Sequence, residues 1–188
     1  THYPADDGEG LDAACDIGTT TVVCHLIDGK TGEKLATVSE PSAQRSFGAD
    51  VLSRIQAAEA GKLEILKEQI IFQIAQMLRT LQKKTGRGEQ IQRLAVVGNT
   101  VMCHLFAGIS PVSIGVTPFM PQEFFGKEYT GEQLGLTDCR SVYIAPAVAG
   151  FVGGDITSDL LAVMQKKPKD KVLLLDIGTN GEMAVGNE

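Results

Sequence analysis

The chain has 188 residues, of which 43% are hydrophobic and 21% charged, and a formal net charge of −6. That length holds one large domain or two small ones and buries roughly 70% of its unfolded surface, so no disulfide or metal staple is required. The negative balance argues against nucleic acid or an anionic membrane as the main partner. No apolar run approaches the ~20 residues of a membrane span, and no signal peptide opens the chain, so the cytoplasm is the expected compartment.

Residues 1–10 are polar, contain Pro4, Gly8 and Gly10, and read as a linker or arm. Residues 11–27 predict a first β-hairpin, and 34–39 a third strand that Pro41 ends. A helix is expected over 47–60, with Val51, Leu52 and Ile55 on one face and Gly61 at its end. The strongest periodic signal covers 63–84, where Leu63, Leu66, Ile70, Ile74, Met77, Leu78 and Leu81 recur at helical spacing before Gly86 stops the helix. A buried strand follows over 91–97 and ends in Gly98-Asn99-Thr100, where a short helix starts.

Residues 109–140 differ in texture: Pro111, Pro118 and Pro121, several glycines, and the aromatics Phe119, Phe124, Phe125 and Tyr129, with no sustained period. They read as a long inserted loop with at most a short edge strand, its aromatics either packing the loop onto its own domain or forming a partner surface. A strand over 141–147 leads to Gly153-Gly154-Asp155 and a helix over 156–165, with Asp155 as its expected cap. The glycine pair allows close approach to a ligand or between helices. Cys15, Cys24, Cys103 and Cys139 form no C-x-x-C pair and read as buried free thiols; His2, His25 and His104 are scattered and read as packing residues.

Two copies of one stretch organise this order, Asp16-Ile17-Gly18-Thr19-Thr20-Thr21 and Asp176-Ile177-Gly178-Thr179-Asn180-Gly181. Each follows a short apolar strand and precedes another, which predicts two hairpins with turns of glycine and hydroxyl residues. Such turns present backbone N–H groups and Thr hydroxyls to phosphate. The Asp that ends each first strand is placed to hold Mg²⁺ directly or through its waters. A single copy also reads as an ordinary turn capped by Asp; the repetition is what points to a site. Gly98, Asn99 and Thr100 stand at the carboxyl end of a strand, where α/β sheets bind ligands, and equally suit a strand-to-helix turn.

Paired phosphate hairpins across a cleft resemble the actin, sugar-kinase and heat-shock-chaperone ATPase superfamily. The resemblance implies an α/β fold: a ribonuclease H-like (actin-like ATPase) subdomain over 11–168 with a mixed sheet flanked by helices, its insertion over 109–140, and the start of a second such subdomain over 169–188. Residues 45–55, 97–106, Gly153-Gly154-Asp155 and 176–182 narrow it. They are similar to the ATPase domain of reductive activators of corrinoid proteins.

That family implies ATP and Mg²⁺ as cofactors, an iron–sulfur cluster in a domain outside this chain, and a corrinoid protein of a methyltransferase as partner, returned from cob(II)alamin to cob(I)alamin. Asp16 and Asp176 would organise the metal. Gly18, Thr19, Thr20 and Thr21 would cradle one part of the triphosphate, with Gly178, Thr179, Asn180 and Gly181 on another. Gly98, Asn99, Thr100, Gly153, Gly154 and Asp155 complete the implied nucleotide site. Glu182 is either a water-orienting base or a surface glutamate.

The chain carries no C-x₄-C-x₂-C motif and ends before the superfamily's adenosine motif, so a fragment is expected, binding phosphate or ADP weakly and hydrolysing little or no ATP. Unpaired strand edges of the second hairpin favour a homodimer. A small-molecule kinase is the alternative within the superfamily; sugar kinases place an Asp base near Asn99, which counts against it. A non-catalytic module docking a corrinoid protein through 109–140 is the other.

Overall fold

A computed structural model describes residues 10–168, 170–178 and 181–187. Strands β1 (Leu11–Ile17), β2 (Thr21–Asp28) and β3 (Lys34–Pro41) open the fold as an antiparallel meander. Helices α1 (Val51–Ala57) and α2 (Leu63–Thr85) follow, then β4 (Ile91–Val97) and α3 (Thr100–Ala107). After them come β5 (Lys127–Thr130), α4 (Gly131–Leu134), β6 (Cys139–Ile144) and α5 (Gly154–Met164), and finally β7 (Val172–Ile177) and β8 (Gly181–Gly186). Six strands form one mixed sheet in the order β3-β2-β1-β4-β6-β5, with β1, β4 and β6 mutually parallel. Strands β7 and β8 form a separate two-stranded sheet.

The core follows from the two periodicities. Alternate residues of the central strands, Leu11, Ala13, Cys15 and Ile17 on β1 and Val22, Cys24 and Leu26 on β2, lie on one buried face. Against it α2 lays Leu66, Ile70, Ile74, Met77, Leu78 and Leu81, all fully buried. Each such side chain contributes roughly 1.5–3 kcal/mol of transfer free energy. Gln73 ties the same helix to the end of β3: its Nε2 donates to the Pro41 carbonyl and its Oε1 accepts from the Ala43 N–H, both at 2.8 Å. All four cysteines are free and buried. Among the described residues, no helix is long and apolar enough to cross a membrane.

The structure corrects several expected boundaries. The helix expected over 47–60 is a 3₁₀ turn (Ala43–Phe47) and then α1, which starts at Val51 because the Asp50 carboxylate accepts from the Ser53 N–H at 2.8 Å. Gly61, at φ +83°, breaks α1 from α2. The strand expected over 141–147 is Cys139–Ile144. The loop expected over 109–140 does carry an edge strand, β5, antiparallel to β6, and also α4, which a Thr130/Gln133 capping box starts. Its aromatics divide: Phe125 is buried, edge-on to His104, whereas Phe119 and Phe124 are exposed. Asp155 is not the cap of α5; Gly153 holds that position, and Asp155 sits in the first turn.

Candidate functional site

The carboxyl ends of the parallel strands meet the second hairpin at a cleft of about 510 Å³, within the range of small-ligand sites. Asp16, Gly18, Thr19, Thr20 and Thr21 line it from the β1–β2 turn, Asn99 from the end of β4, Asp155 from the start of α5, and Asp176, Gly178 and Glu182 from the β7–β8 hairpin. Sequence-distant segments therefore converge where an α/β sheet offers its strand ends to a ligand.

One side of the cleft is the β1–β2 turn with Asn99 beside it. Gly18 is required by the tightness of its turn, since a Cβ there would stand 2.4 Å from the Thr21 carbonyl oxygen. Asn99 uses both ends of its amide: Oδ1 accepts from the Met102 N–H at 3.0 Å and caps α3, while Nδ2 donates to the Thr19 hydroxyl at 3.0 Å. The buried side chain of Thr19 is thereby fixed in the turn. Arg54 of α1 reaches the same turn from inside the protein, its guanidinium donating to the Thr19 carbonyl.

The cleft is acidic on more than one side, with Asp16 at the end of β1, Asp155 at the start of α5, and Asp176 and Glu182 on the β7–β8 hairpin. Burial, together with Asp155, Asp176 and Asp159, pushes the Asp16 carboxyl up to about 6. Asp155 is raised by burial and then by Asp176 and Asp159, against the lowering effect of the Ile156 N–H bonded to its carboxylate at 2.9 Å. Glu182 is raised by burial and then by Asp155 and Asp176. It lies directly across the β7–β8 ladder from Asp176, a like-charge cross-strand pair. Such a cleft resists a bare anion and attracts a cation.

The donor set suits a phosphate carried with a hard divalent cation. Gly178 lines the cleft, and among the described residues nothing lies within 4 Å of where its Cβ would stand, so a side chain would intrude into open space. Among the described residues, no three His, Cys, Asp or Glu side chains are grouped to hold an ion by themselves. An ion here would keep waters of its own, as Mg²⁺ usually does.

Not every expected residue lines the cleft. Thr100 is buried and donates its hydroxyl to the Ala149 carbonyl at 2.6 Å. Gly98 and Gly153 allow backbones to pack: a Cβ on Gly98 would meet Ile17 Cγ1 at 2.7 Å, and one on Gly153 the Gly98 oxygen at 2.4 Å. The Gly154 N–H donates to the Gly98 carbonyl at 2.9 Å, joining the start of α5 to the end of β4. Gly181 begins β8, while Thr179 and Asn180 lie outside the described residues. Sequence reasoning missed Arg54 and Asp159. A cation on an amphipathic helix and an acid on α5 both read as solvated surface, and only the fold brings them beside the turn and Asp16.

This is a mixed α/β protein with a polar cleft between two repeated hairpins. It shares that fold with a putative 2-dehydro-3-deoxygalactonokinase from Sinorhizobium meliloti, at TM-score 0.52 and 14% identity over 94% of this chain and 50% of the kinase. The family described as the RACo middle region matches residues 11–167, and the chain belongs to that family. The likeness to reductive activators of corrinoid proteins read from the sequence is thus borne out.

The chain is 36% identical to the corrinoid activation enzyme RamQ of Eubacterium limosum, over 93% of this chain and 30% of RamQ. It is 28% identical to a [Co(II) methylated amine-specific corrinoid protein] reductase of Methanosarcina barkeri, over 92% of this chain and 33% of the reductase. A solved reductive activator for corrinoid, iron-sulfur protein superposes at TM-score 0.89 and 36% identity, over 97% of this chain and 30% of that structure. The chain spans about a third of the length of these relatives.

Proposed function

We propose that this chain is the ATP-binding middle region of a reductive activator that returns the cob(II)alamin of a methyltransferase's corrinoid protein to cob(I)alamin. The observation that carries it is the pair of Asp-Ile-Gly hairpins opposed across one cleft in a chain of this family. The sheet order β3-β2-β1-β4-β6-β5 supports a ribonuclease H-like first subdomain, over 11–168, with β5 as an inserted edge strand, and 169–188 as the opening of a second subdomain. Electrons would come from an iron–sulfur cluster outside this chain.

The residues divide the work. The turn over 18–21 binds phosphate oxygens through its N–H groups and hydroxyls, held in shape by Asn99. Asp16 and Asp176 would hold Mg²⁺, directly or through its waters, and the ion would supply charge neutralisation for phosphoryl transfer. Glu182, beside Asp176 and with its carboxyl raised, is placed to orient a water or accept its proton. Asn99 does not serve as a kinase's base, because a carboxamide takes up no proton near neutral pH; its amide is engaged at both ends in holding the turn and capping α3.

Isothermal titration with Mg·ATP and Mg·ADP tests the reading. Binding by the parent chain that Asp16→Ala abolishes is the expected result, and no binding at millimolar nucleotide would sink it for this chain. A second reading, a docking surface for the corrinoid protein, draws on the exposure of Phe119, Met120 and Phe124 at 45%, 53% and 41%. Alanine at all three should weaken capture of the corrinoid protein; unchanged capture counts against it.

A further inference from the structure

Arg54 has no accessible surface, and its guanidinium is spread over four elements of the fold. Nη2 donates to the Thr19 carbonyl at 2.5 Å, Nη1 to Gln44 Oε1 at 3.3 Å and to the Met102 sulfur at 2.8 Å, and Nε to the Gly48 carbonyl at 3.3 Å. Among the described residues, no carboxylate pairs with it. The nearest acidic influence is Asp50, whose carboxylate is engaged by the Ser53 N–H and hydroxyl, each at 2.8 Å. Burial draws its pKa down to about 10, so it remains a cation at neutral pH.

An unpaired buried charge is costly. Packing alone would be served as well by an apolar side chain of similar length. The shortest of the Arg54 contacts to oxygen is to one peptide, the unit between Thr19 and Thr20 in the turn that lines the cleft. A carbonyl turned toward an anion repels it. Because the Thr19 oxygen is held by a fully buried guanidinium, it faces the interior and not the cleft.

We propose that Arg54 is a positioning residue of the phosphate turn: it turns the Thr19 carbonyl inward and supplies the unneutralised positive charge that offsets the carboxylates of the cleft. The proposal rests on the nucleotide reading for its ligand, and on the contacts of Arg54 alone for the shape of the turn. Arg54→Met keeps an unbranched stem and removes the charge, whereas Arg54→Lys keeps the charge and loses the fork.

The test titrates the wild-type chain and both variants with Mg·ADP and inorganic pyrophosphate. In parallel it follows hydrogen–deuterium exchange of the amides over 18–21 without ligand. Expected are affinities lower by about tenfold or more in R54M, the effect of losing one charge-assisted hydrogen bond, with R54K between R54M and wild type. Exchange at the turn should be faster in R54M, while the amides of α2 stay protected. A folded R54M that binds like the wild type, or whose turn exchanges at the wild-type rate, overturns the proposal. If R54M does not fold, Arg54→Gln, smaller and still a donor, takes its place under the same two readings. If the wild type takes neither ligand, the nucleotide reading falls, and the exchange comparison still decides the role of Arg54.

Discussion

The two Asp-Ile-Gly hairpins are nearly the same in sequence and very different in support. In the first, Ile17 is fully buried, β1 is paired on both sides, and α2 covers the face. In the second, Ile177 is 83% exposed, and Leu173, Leu175, Met183 and Val185 form an open apolar face on a sheet of two strands. The motif is therefore a local instruction for turn chemistry, and its rigidity is lent by neighbouring elements.

The turns also differ by one residue. Ile17 pairs with Val22, whereas Ile177 pairs with Gly181. A slip of one residue exchanges the faces of the returning strand. That is why Val23 stands opposite Asp16 while Glu182 stands opposite Asp176.

Amide exchange should break the comparison most widely. The amides of β1 are expected to open only with global unfolding, while those of β7 and β8 exchange close to unfolded rates. Equal protection in the two hairpins would refute the contrast. Next in size, Ile17→Ala should cost about 2–5 kcal/mol in urea unfolding, and Ile177→Ala no more than about 0.5 kcal/mol. Gly18→Ala should then cost about 1–3 kcal/mol, because its new Cβ meets the Thr21 oxygen, while Gly178→Ala leaves stability unchanged and acts on the ligand.

The smallest effect is on pH. The Asp16 carboxyl sits near 6 when folded and at its ordinary lower value when unfolded, so the folded state binds the extra proton between those values. Stability should fall as pH rises toward about 6, and Asp16→Asn should remove that slope and raise the melting temperature slightly at neutral pH. A slope that persists in the variant would assign it to another group, with Asp155 the first to examine.

Much of this was legible in the sequence, because hairpins and long amphipathic helices are written locally. The repeat placed both hairpins, and the spacing of Leu66, Ile70, Ile74, Met77 and Leu81 placed α2. What escaped depended on pairing at a distance. Strand β5 is a strand only because β6 accepts it at the sheet edge. Asp155 reads as a helix cap until Gly98, whose carbonyl takes the Gly154 N–H, shows where α5 begins. Arg54 could be found only with the Thr19 carbonyl beside it. The Asp50-x-x-Ser53 cap and the Thr130/Gln133 box are local, yet each looks like ordinary loop polarity in the sequence, because no long periodic helix stands behind it.

The amide of Asn99 carries one more consequence. An aspartate there could still cap α3, because the cap needs only an oxygen. It could not give a hydrogen to Thr19, and it would add another negative charge beside Asp16, Asp155, Asp176 and Glu182. One substitution of nearly equal size would thus exchange a neutral spacer for a fifth carboxylate. The cleft would then resist an anion more strongly and draw cations more strongly than it does with the neutral amide.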